Sequence, residues 1–404
     1  MHKRFVLACL LPLLAACGQN AEAPSVATPD VPAPQPISVR FATYNSSLYD
    51  EADGGLIARL EQGDDAARKI AAVIQLQRPD VLLINEFDYD PEQRAAELFQ
   101  RKYLEVRHSG LAPIRYDYRY SAAVNTGEPS GLDLDNDGQT GSPNDAWAFG
   151  KHPGQYGLLV LSRFPIDAAA VRSFQKFLWK DLPDARRPMN PDGSPYHSDA
   201  VWQQLRLSSK SHWDVPIETA LGKVHFLVSH PTPPVFDGPE RRNLARNADE
   251  IALWTHYLSE PDAAWLCDDQ GRCGGLSSDA RFVLAGDLNA DRLDGDGDHV
   301  AIAALLDAPR VDSSFVPRSE GAIDVAQAYG FTRQGDVATH TGDFGSHTGT
   351  LRIDYVLPSR GFTILGGGVF WPRKEGAGYD WTRASDHHMV WLDLTTQDAI
   401  DVVR

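Results

Sequence analysis

The feature that most constrains this chain is a set of short apolar runs, each ended by a carboxylate, an amide or an imidazole. Val81-Leu82-Leu83-Ile84 runs into Asn85-Glu86, and Phe282-Val283-Leu284-Ala285-Gly286 runs into Asp287 and Asn289. Phe226-Leu227-Val228-Ser229 ends at His230, and Phe41-Ala42-Thr43-Tyr44 ends at Asn45. Asp354 sits inside Arg352–Leu357, and Asp386-His387 stands just before Met389–Leu394. Runs of this kind read as buried strands, where a charge is costly unless it is paired or metal-bound. Strand ends carrying such groups point to one convergent site, as in α/β sheets. Several carboxylates held together need a cation to offset their repulsion. Hard oxygen ligands without cysteine select Mg²⁺, Mn²⁺ or Ca²⁺ over Zn²⁺. Taken singly, each residue has a plainer reading: Asp287 could cap a helix and Asn45 could close a turn.

Between the strands lie amphipathic helices. Asp65–Gln77 carries Ala67, Ile70, Ala71 and Ile74 at helical spacing, and Pro79 stops it. Pro91–Gln100 reads as a second helix, and Pro239–Leu258 as the longest, with proline in its first turn. Val215–Ala220 and Val224–Val228 form a hairpin through Leu221-Gly222-Lys223, so the sheets are mixed. Long stretches rich in Gly, Pro and Asp separate these elements, notably Gly110–Gly150, Phe174–Trp213 and Pro309–Gly349. Of 404 residues, 42% are hydrophobic and 23% charged, which is globular composition. The formal charge of −17 argues against affinity gained by coating a polyanion with Lys and Arg. No apolar run reaches the roughly 18–20 residues of a membrane span.

The first residues have an export pattern. A basic start with Lys3 and Arg4 precedes the apolar run Phe5–Ala16, which ends in Leu14-Ala15-Ala16-Cys17. This segment resembles the lipobox of bacterial lipoproteins, which implies a signal peptide over residues 1–16 and lipidation of Cys17. A plain signal peptide with a chance cysteine is the alternative. Residues 17–36 form a proline-rich tether with Pro24, Pro29, Pro32, Pro34 and Pro36, too extended to pack a core. Gly18, in place of Asp, implies by the same resemblance an outer-membrane anchor. Membrane contact is then expected through the lipid alone, with the domain exported and monomeric. Cys267 and Cys273 are left to close a small disulfide loop in an oxidising compartment. The alternative, a metal site, lacks a nearby His or second Cys pair.

Taken in order, Tyr44-Asn45, Glu86, Ser229-His230, Gly286-Asp287-Leu288-Asn289, Ile353-Asp354-Tyr355 and Ser385-Asp386-His387 resemble the endonuclease/exonuclease/phosphatase superfamily. The resemblance covers about Ile37–Asp393 and includes the segment Leu161–Ile166. It implies an α/β fold: a four-layer α/β/β/α sandwich of two mixed β-sheets flanked by helices, as one catalytic domain over residues 37–397. It also implies a metal held by Glu86, with Asn45 and Asp386 near or on it, the metal being Mg²⁺ or Mn²⁺. Asp287, helped by Asn289, would orient or deprotonate the attacking water. His387 would contact the phosphate, held by Asp354, and His230 would be a second phosphate contact or acid. The substrate is then a phosphoester, whether nucleic acid, lipid or small molecule.

The sequence departs from this pattern in three places. His388-Met389 replaces a residue followed by proline, Asn85 replaces a more usual Gln, and Lys210-Ser211-His212-Trp213 lies where an Arg often serves the phosphate. Lys210 or His212 is expected to substitute. Asp133-x-Asp135-x-Asp137-Gly138 resembles half a calcium loop, with Asn144 where a bidentate Glu is expected. Asp294-x-Asp296-x-Asp298 has His299 in place of the glycine, and a solvated polar turn is the plainer reading for both. His152 reads as an exposed loop residue. The rival function is a catalytically inactive, calcium-stabilised surface binding module on the same fold.

Overall fold

The computed structural model describes residues 37–401. The expected signal peptide, Cys17 and the tether therefore lie outside the described residues. In chain order the strands are β1 (Val39–Leu48), β2 (Val81–Phe87), β3 (Tyr118–Tyr120), β4 (Leu158–Ser162), β5 (Arg172–Ser173), β6 (His212–Thr219) and β7 (Gly222–Ser229). They continue as β8 (Phe282–Asp287), β9 (Gly342–Asp343), β10 (Thr350–Leu351), β11 (Asp354–Pro358), β12 (Thr363–Val369) and β13 (Val390–Thr395).

Two large sheets result, a six-stranded one in the order β12-β13-β1-β2-β4-β3 and a five-stranded one in the order β11-β8-β7-β6-β5. Both are mixed: β1–β2 and β7–β8 run parallel, while β8–β11 and β1–β13 run antiparallel. Alternate residues of each strand enter different cores. Phe41, Leu83 and Val160 of the first sheet meet Phe226, Val283 and Val356 of the second between the sheets. Their neighbours Ala42, Leu82 and Leu159 face the helices Gly55–Gln62, Asp65–Gln77 and Arg94–Phe99. Leu227, Leu284 and Leu357 face the helices Arg242–Ser259 and His299–Leu306. Strands buried on both faces are continuous apolar runs for this reason, each large side chain stabilising by roughly 1.5–3 kcal/mol. This is the four-layer α/β/β/α sandwich that the sequence implied.

Three local expectations are corrected. The longest helix starts at Arg242, not Pro239, because Arg241 takes a left-handed backbone (φ 51°). The Asp237 carboxylate caps it by accepting from Asn243 N at 2.7 Å and Leu244 N at 3.0 Å. The stretch Pro309–Gly349 is not simply a loop, since Glu320–Tyr329 is a helix capped by Ser319. His152 is buried, with Nε2 3.2 Å from the carbonyl of Asp50. Cys267 and Cys273 form the expected disulfide.

The topology brings the polar strand ends together. Asp354 pairs directly with Asp287 across β8 and β11, and Asn45 pairs with Asn85 across β1 and β2. Asn85, fully buried, accepts from Thr43 Oγ1 at 3.0 Å and donates to the carbonyl of Ser229 at 3.4 Å, linking the two sheets. Gly286 permits the close approach of β8 to β7, because a Cβ there would lie 2.1 Å from Ser229 O.

Candidate active site

Asp287 is the hub of the site. Its Oδ2 accepts from Asn45 Nδ2 at 3.1 Å and lies 3.3 Å from Nε2 of His230 and 3.6 Å from Nε2 of His387. Its Oδ1 accepts from the backbone N–H of Asn289 at 2.9 Å. Nδ1 of His387 meets Asp354 Oδ2 at 2.9 Å, and Thr341 Oγ1 donates to the same oxygen at 2.7 Å. The side chain of Asn289 donates to Pro231 O at 3.1 Å, which fixes the turn after β8 against the end of β7. Ser385 braces the opposite wall, donating to Asn45 O at 2.8 Å and accepting from His387 N at 3.1 Å.

Burial and charge set the protonation of these groups. Burial alone would raise the Asp287 carboxyl, but His387, His230 and Asn45 together hold it below the usual carboxylate range. Burial works against a charged His387, yet Asp354 and Asp287 raise it well above an ordinary imidazole. Burial pushes Asp354 up to about 6 despite His387. Near neutral pH the two therefore stand as an ion pair. His230 is pushed down to about 4 by burial and by Lys210, so it is a neutral imidazole, and its Nδ1 is buried with no hydrogen-bond partner among the described residues.

Glu86 and Asp386 reach the same cleft, Glu86 partly buried and Asp386 exposed. Burial pushes the Glu86 carboxyl up to about 7, against the pull of His387, Asn45 and Lys210. Glu86 also holds a left-handed backbone (φ 56°), as do Ser47, Tyr156, Phe236 and Asn289, all lining the cleft. For side chains other than Asn this costs on the order of 1–2 kcal/mol each, the strain expected around functional sites.

Asp287, Asp354 and His387 each offer a ligand atom, all within 4.8 Å of one another. Asp354 Oδ2 and His387 Nδ1 are spent on each other, so this trio reads as a proton-handling group. Glu86, Asn45 and Asp386 could supply oxygen donors to a divalent cation. The donor set fits one: a carboxyl whose proton is held only to about pH 7 gives it up readily to a cation.

The cleft has a volume of about 830 Å³. Of its cations, Arg246 is spent on the carbonyls of Leu207, Trp147, Arg206 and Ser208, and Arg242 on Glu240. Lys210, only 6% exposed, lines the cleft and has no side-chain hydrogen bond or ion pair among the described residues. Burial lowers its ammonium, while Glu250, Glu86 and Asp287 support the charge. His212, the other expected substitute, is fully buried in the core between Ser208 and Glu250 and does not line the cleft. His388 stacks on Trp371 at 3.8 Å and donates its backbone N–H to Thr341 O at 2.8 Å, and its side chain does not line the cleft.

Residues 42–387 match the model of the Endonuclease/Exonuclease/phosphatase family. The chain belongs to that family. Among solved structures it is similar to an endonuclease/exonuclease/phosphatase from Beutenbergia cavernae DSM 12333, at 18% identity and a TM-score of 0.49 over 89% of this chain and 72% of that one. It is similar also to the mannosyl-6-phosphatase Bt3783 of Bacteroides thetaiotaomicron VPI-5482, at 14% identity and a TM-score of 0.44 over 89% and 100%. A third is sphingomyelinase C from Streptomyces griseocarneus, at 16% identity and a TM-score of 0.42 over 88% and 99%. No curated protein sequence matches the chain.

Several lining residues of this family member were not singled out from sequence: Arg242, Arg246, Tyr49, Tyr156, Trp147 and Phe236. Arg242 and Arg246 lie four apart on one helix, a spacing that could have flagged them. The aromatics sit in irregular loops with no periodic signal. Of the two acidic segments, Asp133, Asp135 and Asp137 do gather their oxygens within 4.8 Å, and Asn144 Nδ2 donates to Asp135 Oδ2 at 3.0 Å. The second does not form a calcium loop. Asp298 caps the helix His299–Leu306 and pairs with Arg186 at 2.9 Å, and Asp294 is buried, while Asp296 between them is exposed.

Proposed function

We propose that this chain is a divalent-metal-dependent phosphoesterase that hydrolyses a phosphate mono- or diester at the bacterial cell envelope. The observation that carries the reading is the convergence on Asp287 of His230, His387 and Asn45, with His387 set by Asp354. Glu86, Asn45 and Asp386 would hold Mg²⁺ or Mn²⁺, whose charge neutralises the non-bridging phosphate oxygens. Asp287, kept ionised, orients the attacking water and accepts the proton it loses as the new P–O bond forms, passing it on to solvent. His387, held charged by Asp354, donates to the phosphate or to the leaving oxygen. The neutral His230 completes the phosphate cradle, and the Lys210 ammonium, lining the cleft, supplies the fixed positive charge. The lipid anchor at Cys17 and an outer-membrane position belong to the same reading, as does a structural Ca²⁺ at Asp133, Asp135 and Asp137.

The test is turnover of plasmid DNA, a phosphate bis-ester and a monoester by the purified chain with Mg²⁺ or Mn²⁺, and with chelator. Hydrolysis of one class that stops with chelator and with Asp287→Ala or His230→Ala supports the proposal. Wild type indistinguishable from both variants on every substrate would instead make the chain a catalytically inactive, calcium-stabilised binding module.

A further inference from the structure

A second group of buried ligands lies beyond the catalytic trio. Asp291, Asp294 and His340 each offer a ligand atom within 4.8 Å of the other two, and they are 6%, 7% and 1% exposed. Neither carboxylate makes an ion pair among the described residues. A nearby cation, Arg333, instead stacks on Phe331 at 4.9 Å and binds the carbonyl of Thr348. Buried carboxylates in that state ordinarily pair with a cation or coordinate a metal.

Backbone amides orient both acids. Asp291 accepts from Leu293 N, Asp294 N and Arg352 N at 2.8–3.1 Å, and Asp294 from Gln334 N and Gly335 N at 2.9 and 2.8 Å. These bonds set the direction of the carboxylates without neutralising them. The decisive feature is His340. Its Nδ1 is 2.7 Å from Thr350 Oγ1, while its Nε2 is buried with no hydrogen-bond partner among the described residues. The Thr350 hydroxyl can accept from Nδ1–H, the tautomer that leaves a lone pair on Nε2 and the arrangement found behind metal-bound histidines. A lone pair and two carboxylates facing one another repel unless a cation lies between them.

We propose that Asp291, Asp294 and Nε2 of His340 bind a second divalent ion, of the Zn²⁺ class. One imidazole and two carboxylates balance a double charge, and the nitrogen donor favours Zn²⁺ over Mg²⁺ or Ca²⁺. The ion braces the active site without touching substrate. It ties the turn after β8 to His340, whose neighbour Thr341 holds Asp354 and whose near neighbour Gly342 bridges to His387. The proposal concerns binding and does not depend on phosphoesterase activity.

The experiment is equilibrium dialysis of the chelator-stripped chain against micromolar ZnCl₂, and separately MnCl₂, with bound metal counted per chain. Melting is followed in parallel. Wild type is expected to retain one Zn²⁺ more than His340→Gln, and Glu86→Gln to keep that same His340-dependent ion. Zn²⁺ should raise the melting temperature of wild type and Glu86→Gln more than that of His340→Gln. Thr350→Val, which leaves all three ligands but frees the ring, should weaken retention by about tenfold; it serves as the test if His340→Gln does not fold. Equal Zn²⁺ counts in wild type and His340→Gln, or unchanged retention in Thr350→Val, would overturn the proposal. Selective retention of Mn²⁺ with no Zn²⁺ would overturn its metal class. Absence of turnover on any ester would sink the phosphoesterase reading and leave this count untouched.

Discussion

Asp354 stands directly across the β8–β11 ladder from Asp287, and its Oδ2 lies 2.9 Å from Nδ1 of His387. One carboxylate thus orients the imidazole while its cross-strand partner faces the ring's other nitrogen at 3.6 Å. Two buried acids on neighbouring strands are tolerable because the charged ring lies between them.

Asp354→Asn keeps the shape and removes the charge that holds His387 protonated. The expected result is a fall in kcat of about 10²–10⁴ with KM little changed. The basic limb of the pH profile should move to lower pH, because the ring loses its proton more easily. The folded-state imidazole is raised above its unfolded value, so its stabilising contribution is full below about pH 6.5 and fades as pH climbs through the raised value. Asn should flatten that decline. A kcat within about threefold of wild type, with the profile unmoved, would refute the orienting role.

Lys210→Met removes a buried ammonium that makes no side-chain hydrogen bond or ion pair among the described residues. Such a charge weakens the fold, so Met is expected to stabilise the chain by about 1–3 kcal/mol while cutting phosphoester turnover about tenfold or more. Urea unfolding and initial rates on one preparation check both. Loss of activity together with loss of stability would show that Lys210 is a structural residue and not the phosphate's cation.

Much of the site was legible because its residues interrupt apolar runs. Glu86 and Asp287 lie at the ends of strands buried on both faces, where a polar residue is conspicuous. The cross-strand pairing of Asp287 with Asp354 was not legible, since register depends on which strands meet and not on either run alone. Asp291 and His340 escaped notice for a different reason. They sit in irregular backbone 49 residues apart in sequence, and only the folded loops bring them together. Arg241 illustrates the limit at helix ends: a left-handed backbone moved the start of its helix past Pro239, and no local propensity dictates that.

The disulfide closes a short loop around Asp268, a buried carboxylate bound by Arg172 at 3.1 Å and Arg272 at 2.7 Å. Replacing both cysteines by serine should cost about 2 kcal/mol, the entropy of so short a loop, and leave kcat unchanged because the loop lies off the cleft. The melting temperature with and without reductant reads the effect directly. No shift in wild type on full reduction would mean that the Asp268 ion pairs alone hold the loop.

His212 provides the clearest acid-sensitive element outside the site. Its ring is fully buried, donates Nε2–H to Glu250 O at 2.9 Å and meets Ser208 Oγ at 2.7 Å. Burial pushes it down to about 4 from 6.5. Between those values the unfolded chain takes up a proton that the folded chain refuses, so stability is full above about pH 6.5 and falls as pH drops toward 4. From pH 7 to pH 5 this one group should cost the fold about 2 kcal/mol. His212→Gln gives a chain that is less stable at pH 7, since Gln fills the site poorly, but whose stability declines less over the same interval. Urea midpoints for both proteins at pH 7, 6 and 5 make the comparison. Parallel declines would place the acid sensitivity on other groups, His197 and His230 first among them, because burial pushes both down to about 4 as well.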